Sequence, residues 1–470
     1  MQEKRKYRDL SKNTILFTIN SFGSKLISFL LVPLYTYVLS TNDYGTADLI
    51  TSTVQLLVPV LTLNIQDAVL RFSLDKEYDK RAVISVGIKH NFIGLILLLF
   101  GIIAVRGLRV LSLDNIYIYF LIMSFILNGL HNSFSMYLKA NDKVYVLVIS
   151  GIINTLITCV LNILLLVTFK NGITGYLIAN VAGIFIAVCI MLICGGIYKE
   201  FRFKTEKKLS QAMIGYALPL VMNSVAWWIN NASDKYILTF FCGIAVNGIF
   251  SVAYKIPTIL STIQGVFYNS WSVSAITEFD ENDSDGFMGT MYTLYSCMSI
   301  LGCSGIMLLN YPLARILYAK GFFEAWYYVP LLLLGATFNG IALFEGCMFT
   351  AVKKTKEVFR TTLIGAVVNT ITNIVFIWLI GPLGAAIATM LGYFTVWLMR
   401  TIHLRGIVKM KVNWKTQILI TIILFIQSVV ALKQGMEAIQ AICLVLIFVF
   451  QYSYIKRLLV KVRELILRRK

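Results

Sequence analysis

Apolar stretches recur fourteen times along the chain, each separated from the next by a short polar connection. A run of about 20 residues with few charges is long enough to cross a hydrocarbon core of roughly 30 Å as an α-helix. The pattern predicts spans at 13–39, 46–70, 90–105, 116–138, 144–168, 173–197, 213–241, 246–276, 288–310, 326–352, 361–380, 384–399, 416–432 and 438–455. The predicted fold is an all-α integral membrane protein.

The charges orient these spans. Of the 42 Lys and Arg residues, 33 fall on one side of the implied membrane, six on the other and three inside spans. Short basic connections stay cytoplasmic, so both termini are expected in the cytosol. Composition agrees: 58% hydrophobic residues, 14% charged residues and a mean hydropathy of +0.77 exclude a water-soluble fold. The net charge of +19 lies beside the helices, where it meets anionic headgroups, so no nucleic-acid partner is expected. The first apolar run is too long for a signal-peptide core and has no cleavage site after it, so it is expected to remain as the first span. Seven of the eight cysteines lie within spans without metal-type clustering and read as small core residues; no metal is expected.

The sequence repeats weakly. Gly172-x-x-Gly175-x-x-x-Ala179-x-x-x-Gly183 recurs as Gly381-x-x-Gly384-x-x-x-Ala388-x-x-x-Gly392, making the sixth and twelfth spans equivalent. Upstream, the fifth and eleventh carry Asn154-Thr155 and Asn369-Thr370, and the second and eighth each hold one proline, Pro59 and Pro257. Two six-helix lobes are predicted, 1–198 and 199–411, with two extra helices and a basic tail in 412–470. Because each half has an even number of spans, the lobes are parallel repeats about an axis along the membrane normal, with substrate expected to pass between them. Pro33, Pro59, Pro219 and Pro257 are expected to kink their helices and permit bending.

Further motifs carry a family likeness. Tyr44-Gly45 opens the second span and Val69-Leu70-Arg71-Phe72 closes it; Ser233-Asp234-Lys235-Tyr236-Ile237-Leu238, the run Gly248 to Pro257, then Trp271 and Ala275-Ile276 follow in the second half. With these the chain resembles the Wzx-type polysaccharide flippases of the multidrug/oligosaccharidyl-lipid/polysaccharide exporter superfamily. The resemblance implies export of a polyprenyl-pyrophosphate-linked oligosaccharide repeat unit from the cytoplasmic to the outer leaflet of the bacterial inner membrane, for surface polysaccharide synthesis. Alternating access of two lobes comes with it, as do membrane lipids, a polysaccharide polymerase and chain-length machinery as partners. In the related lipid II flippases the last two helices form a groove for the lipid tail.

A pyrophosphate cargo needs cations and hydrogen-bond donors within the membrane. Thr14, Thr18, Ser21, Lys25, Ser28 and Tyr35 share one face of the first span, with Lys25 near mid-bilayer. Lys25 either binds the pyrophosphate as a point charge or pairs with a carboxylate and fixes packing. Tyr216, Asn223, Trp227, Asn230 and Asp234 form a polar stripe on the seventh span, flanked by Asn231 and Lys235; Asp234 with Lys235 or Lys255 makes either a conformational lock or a permanent ion pair. Asp67 and Arg71 have intrahelical ion-pair spacing, with Arg71 either receiving substrate or anchoring the helix. Lys89 and His90 are expected to open the third span. Glu345, within the tenth, is either an ion-coupling site or the partner of Lys25 or Lys255. Substrate binding is thus assigned to Ser21, Lys25, Ser28, Arg71, Asn223, Asn230, Lys235 and Lys255, and gating or ion coupling to Asp67, Asp234 and Glu345.

Two motifs fail. Glu281, Asp283, Asp285 and Gly286 imitate a calcium loop, but Tyr292 stands where a bidentate Glu is needed, which leaves a solvated loop. No phosphate-cradling G-x-x-x-x-G-K-[ST] pattern occurs, so neither ATP hydrolysis nor any cofactor is expected. Two rivals remain. A cation-coupled drug exporter needs carboxylates in its cavity, where the first span offers Lys25. A membrane glycosyltransferase or polymerase needs an outer catalytic domain, where the longest outer connection, 311–325, holds one acid, Glu324. Transport without covalent chemistry is expected.

Overall fold

Among the described residues every regular element is helical. The computed structural model describes residues 22–75, 77–107, 114–202 and 206–467. Ten helices have the length and apolarity to cross a membrane, or eleven when one bent pair counts as a single span; shorter apolar helices Phe22–Val38, Trp414–Val430 and Glu437–Tyr452 stand at the places of the first, thirteenth and fourteenth predicted spans. We number the helices α1 Phe22–Val38, α2 Thr41–Leu61, α3 Ile65–Leu74, α4 Lys80–Gly107, α5 Asn115–Ala140, α6 Val144–Ile163, α7 Gly172–Cys194, α8 Lys207–Cys242, α9 Ile244–Ala253, α10 Lys255–Thr277, α11 Phe287–Leu308, α12 Asn310–Leu317, α13 Val329–Ala351, α14 Thr355–Ile380, α15 Pro382–Leu404, α16 Trp414–Val430 and α17 Glu437–Leu467. The chain divides into two compact units, Met1–Ala232 and Ser233–Lys470, the division falling within α8.

Prolines mark the breaks. The second span is two helices, α2 and α3, bent by 55°. Pro59 has no amide hydrogen to continue the ladder, and Leu63 and Asn64 turn the chain with positive φ before α3 begins. Within α1 the helix is interrupted at Leu31, just before Pro33. The eighth span breaks at Tyr254, between α9 and α10, three residues before Pro257. Pro219 lies inside α8.

Among the boundaries that differ from the sequence reading are three where charge had hidden a helix. α4 starts at Lys80, ten residues early, because Val83 to Ile88 are all buried while Arg81 and Lys89 point outward; Lys89 and His90 therefore lie beyond its second turn rather than opening it. α15 continues to Leu404 and takes Arg400 inside with it. The backbone of α17 runs unbroken to Leu467, about 46 Å at 1.5 Å per residue, so the tail continues the last helix instead of breaking into a separate interfacial one.

Each unit has its own core. In the first, Ile65, Val69, Val83, Phe134, Leu138, Met191 and Met213 pack together from α3, α4, α5, α7 and α8, and Val54, Val58, Leu98 and Phe125 form a second cluster. In the second, Trp271 stacks on Phe344 at 4.1 Å and donates its indole N–H to the Phe344 carbonyl at 3.0 Å, while Tyr295 stacks on the same ring. Trp271 of the family-like motif is thus a core residue.

The repeated glycines serve one purpose twice. α6 packs on α7 in the first unit as α14 packs on α15 in the second. A Cβ at Gly183 would come within 2.6 Å of the Asn154 amide oxygen, and one at Gly392 within 2.7 Å of Asn369 Cβ. Small residues let membrane helices approach closely without a hydrophobic driving force, and here the asparagine of one helix lies over the glycine of the next. Gly392→Leu should therefore lower the thermal unfolding midpoint in detergent, by overpacking worth about 1–3 kcal/mol or more; an unchanged midpoint would contradict this contact.

The acidic loop is more than a solvated connection. Asp283 is fully buried and accepts the N–H groups of Met288, Gly289 and Lys411 at 2.9–3.0 Å, holding the start of α11 to the strip before α16. Backbone N–H groups of Ser284 and Asn282 hold the Asp280 carboxyl below the usual carboxylate range. An acid at this place satisfies the open amides of a helix start.

Candidate functional site

In the first unit, Lys25 and Ser28 are exposed on α1, and no ion-pair partner of Lys25 exists among the described residues. The neighbouring Ser24 accepts the Thr155 hydroxyl at 2.9 Å, seating α1 on α6 at the Asn-Thr pair. Ser21 lies outside the described residues. Tyr35 stands edge-on to Tyr176 at 5.0 Å and near Tyr44 at 6.4 Å, so it joins a buried tyrosine cluster at one end of the unit instead of continuing the Lys25 face.

Asp67 and Arg71 do not pair. Asp67 accepts the Asn64 amide at 2.6 Å within the first turn of α3, directly after the bend, whereas Arg71 reaches forward to Asp75 at 3.5 Å. The carboxylate thus steadies the start of α3, and Arg71 keeps an exposed guanidinium. Lys89 is exposed; His90 is buried with Nδ1 2.8 Å from the Val86 carbonyl. On α8, Tyr216, Asn223 and Trp227 are exposed, Asn231 donates to the Trp227 carbonyl at 2.8 Å, and the Asn230 side chain lies outside the described residues. Trp228, next in the chain, donates instead to Ser52 of α2 at 2.8 Å.

In the second unit, Asp234 is 3% exposed. One of its oxygens accepts the Tyr254 hydroxyl at 2.7 Å and the other the Lys235 amide N–H at 2.9 Å; Tyr254 also lies 3.4 Å from the Thr389 hydroxyl. Asp234 thereby ties α8 to the α9–α10 break and to α15. Lys235 and Lys255 are half-buried, and Lys255 has no ion-pair partner among the described residues.

Glu345 is fully buried, yet not with Lys25 or Lys255. It accepts the Thr401 hydroxyl at 2.6 Å, its second oxygen has no hydrogen-bond partner, and its charged neighbour is Arg400. Arg400, 3% exposed, donates to the Ala342 carbonyl at 2.5 Å, Thr361 at 3.1 Å and Thr362 at 2.9 Å. One guanidinium fork thus binds α13, α14 and α15 together. The sequence reading counted Arg400 among the loop charges; the signal missed was the helical continuation Thr401 to Leu404. Tyr254 sat within a motif already singled out, as the hydroxyl at the break before Pro257.

Intramembrane charge is therefore treated differently by sign. The acids Asp234 and Glu345 are buried and hydrogen-bonded, while Lys25 and Lys255 stand without a carboxylate among the described residues. A family described as polysaccharide biosynthesis protein matches residues 10–276, more than half of the chain. The chain belongs to this family. A sequence search of curated proteins finds no match. Among solved structures, this polysaccharide biosynthesis family member is similar to the lipid II flippase MurJ in its inward closed conformation, with a TM-score of 0.73 and 17% identity over 95% of this chain and 100% of that one. It is also similar to a multidrug resistance MATE family transporter of the MOP superfamily, facing inward (TM-score 0.63, 11% identity, 83% and 97% of the two chains) and outward (0.57, 12%, 85% and 96%). At these identities the likeness shows the fold. Family and fold together describe a multi-pass helical membrane protein of a polysaccharide biosynthesis family, with the fold seen in the lipid II flippase and the multidrug resistance transporter.

Proposed function

We propose that this polysaccharide biosynthesis protein moves polyprenyl-pyrophosphate-linked oligosaccharide repeat units from the cytoplasmic to the outer leaflet of the bacterial inner membrane. It does so by alternating access of two six-helix lobes, 1–198 and 199–411, with both termini in the cytosol and the repeat units passed on to a polysaccharide polymerase. The carrying observation is the asymmetry of intramembrane charge: Lys25 and Lys255 lack carboxylate partners among the described residues, while Asp234 and Glu345 are buried and hydrogen-bonded. An unpaired ammonium in a membrane span costs about 2.5–3.5 kcal/mol on insertion scales and is relieved by an anionic ligand. Asp234 and Glu345, buried and hydrogen-bonded, are not open to a cationic drug. Lys25 carries the pyrophosphate contact, Ser21, Ser28, Asn223 and Asn230 supply hydrogen bonds to it and the glycan, Lys235 and Lys255 add positive charge, and Arg71 receives substrate at the cytoplasmic mouth. Asp67 and Asp234 act as gating residues beside the helix breaks they adjoin.

Ligand-induced stabilisation tests this reading. A bound ligand raises the unfolding free energy by about 2.7 kcal/mol at a hundredfold excess over Kd. Polyprenyl pyrophosphate should raise the unfolding midpoint of the purified protein, and neutral polyprenol or a cationic dye should not. Stabilisation by the dye alone would favour the drug-exporter reading.

A further inference from the structure

The second unit has a cleft of about 650 Å³ beside the turn from α13 to α14, lined by Lys353, Lys354, Lys356, Glu357, Arg360 and His403. Four of these six carry positive charge within eight residues of chain. None of the four has a carboxylate within ion-pair reach among the described residues, and the one acid lining the cleft, Glu357, lies 3.2 Å from His403 Nδ1 instead. In the first unit, by contrast, Arg81 meets Glu200 at 2.7 Å and Arg202 meets Asp79 at 3.1 Å.

The floor of the cleft is rigid. Lys353 turns the chain with φ +60, and beneath the first turns of α14 the Arg400 guanidinium holds Thr361 and Thr362. α14 begins at Thr355 without a side-chain cap, which adds the positive end of a 26-residue helix to the same place. Like charges converging on a fixed concave surface repel one another unless an anion joins them. Lysine ammoniums and a guanidinium fork suit phosphate oxygens, and the resulting hydrogen bonds are charge-assisted.

We propose that this cleft is a second anion site, binding the phosphate of a membrane lipid headgroup at the cytoplasmic end of α13 and α14. The site rests on the proposed function only for the side of the membrane to which it opens. The phosphate belongs either to a resident phospholipid or to the pyrophosphate head of the glycolipid before it enters the protein, and both present the same oxygens.

Native mass spectrometry of the full-length protein with phosphatidylglycerol, polyprenyl pyrophosphate or inorganic pyrophosphate tests it. Lys354→Gln/Arg360→Gln removes two charges from the cleft; Lys207→Gln/Lys208→Gln removes two from the exposed start of α8. The cleft variant is expected to lose about tenfold or more in affinity, about 1.4 kcal/mol, for one of the two lipids, while the α8 variant binds as the wild type does. Loss confined to phosphatidylglycerol identifies a resident lipid, and loss of polyprenyl pyrophosphate with retained phosphatidylglycerol identifies substrate docking. Equal losses in both variants, loss for inorganic pyrophosphate alone, or no loss in either would overturn the site and reduce these residues to general inner-leaflet charge. Because the readout is binding at this cleft and not transport, its failure leaves the flippase reading standing.

Discussion

Lys25→Ala is expected to abolish glycolipid transport while the protein still reaches the membrane at the wild-type level. Two effects separate in this variant. Lys25 has no carboxylate partner among the described residues, so its loss orphans no buried acid, and removing an intramembrane ammonium relieves an insertion cost of about 2.5–3.5 kcal/mol. Stability should hold or rise. The pyrophosphate, however, loses a charge-assisted contact worth about 1.5–3 kcal/mol, which is roughly ten- to a hundredfold in rate or affinity, and more if the contact is needed at each stage of the crossing. Lys25→Arg should recover part of the activity, since it keeps the charge but replaces a point donor by a planar fork. Wild-type transport by Lys25→Ala would sink the pyrophosphate role.

Arg400→Ala should have the largest effect on stability. Its guanidinium is buried, donates from α15 to both α13 and α14, and is the charged neighbour of the fully buried Glu345. Removing the guanidinium leaves the buried Ala342 carbonyl and the Thr361 hydroxyl without this donor, each lost partner costing about 1–3 kcal/mol. The expected result is a large fall in folded yield and in the unfolding midpoint in detergent. Adding Glu345→Gln should recover at least about 1 kcal/mol of that loss, the coupling expected of groups in one network. A single variant as stable as the wild type, or two losses that simply add, would show that the pair does not act as a unit.

The sequence made the helices legible because a membrane span must satisfy its own backbone and therefore shows as an apolar run of fixed length. Where a span is buried by protein, that signal fades. α4 begins among Lys80 and Arg81 because the following six residues are covered by neighbouring helices, and Arg400 passed for a loop charge because its donors are satisfied within the fold. The repeat was legible for a local reason: Gly183 and Gly392 must be small wherever an asparagine of the preceding helix lies over them. The Asn64–Asp67 contact was missed because fourfold spacing points to Arg71, whereas the helix starts anew at Ile65 and sets Asp67 in the first turn beside its cap residue Asn64. Glu345 was found as an unusual acid, but its hydrogen-bond partner Thr401 lies 56 residues onward, a distance no periodicity reports. Lys25 and Lys255, without an ion-pair partner among the described residues, were legible from sequence alone, since in a membrane any ammonium stands apart.

The most direct measurement is transbilayer movement of a defined polyprenyl-pyrophosphate oligosaccharide in liposomes containing the purified protein, run beside a cationic dye. The account predicts movement of the chemically unchanged glycolipid, lost in Lys25→Ala, and no movement of the dye. Dye transport without glycolipid transport, or a glycolipid altered in its covalent structure, would contradict it.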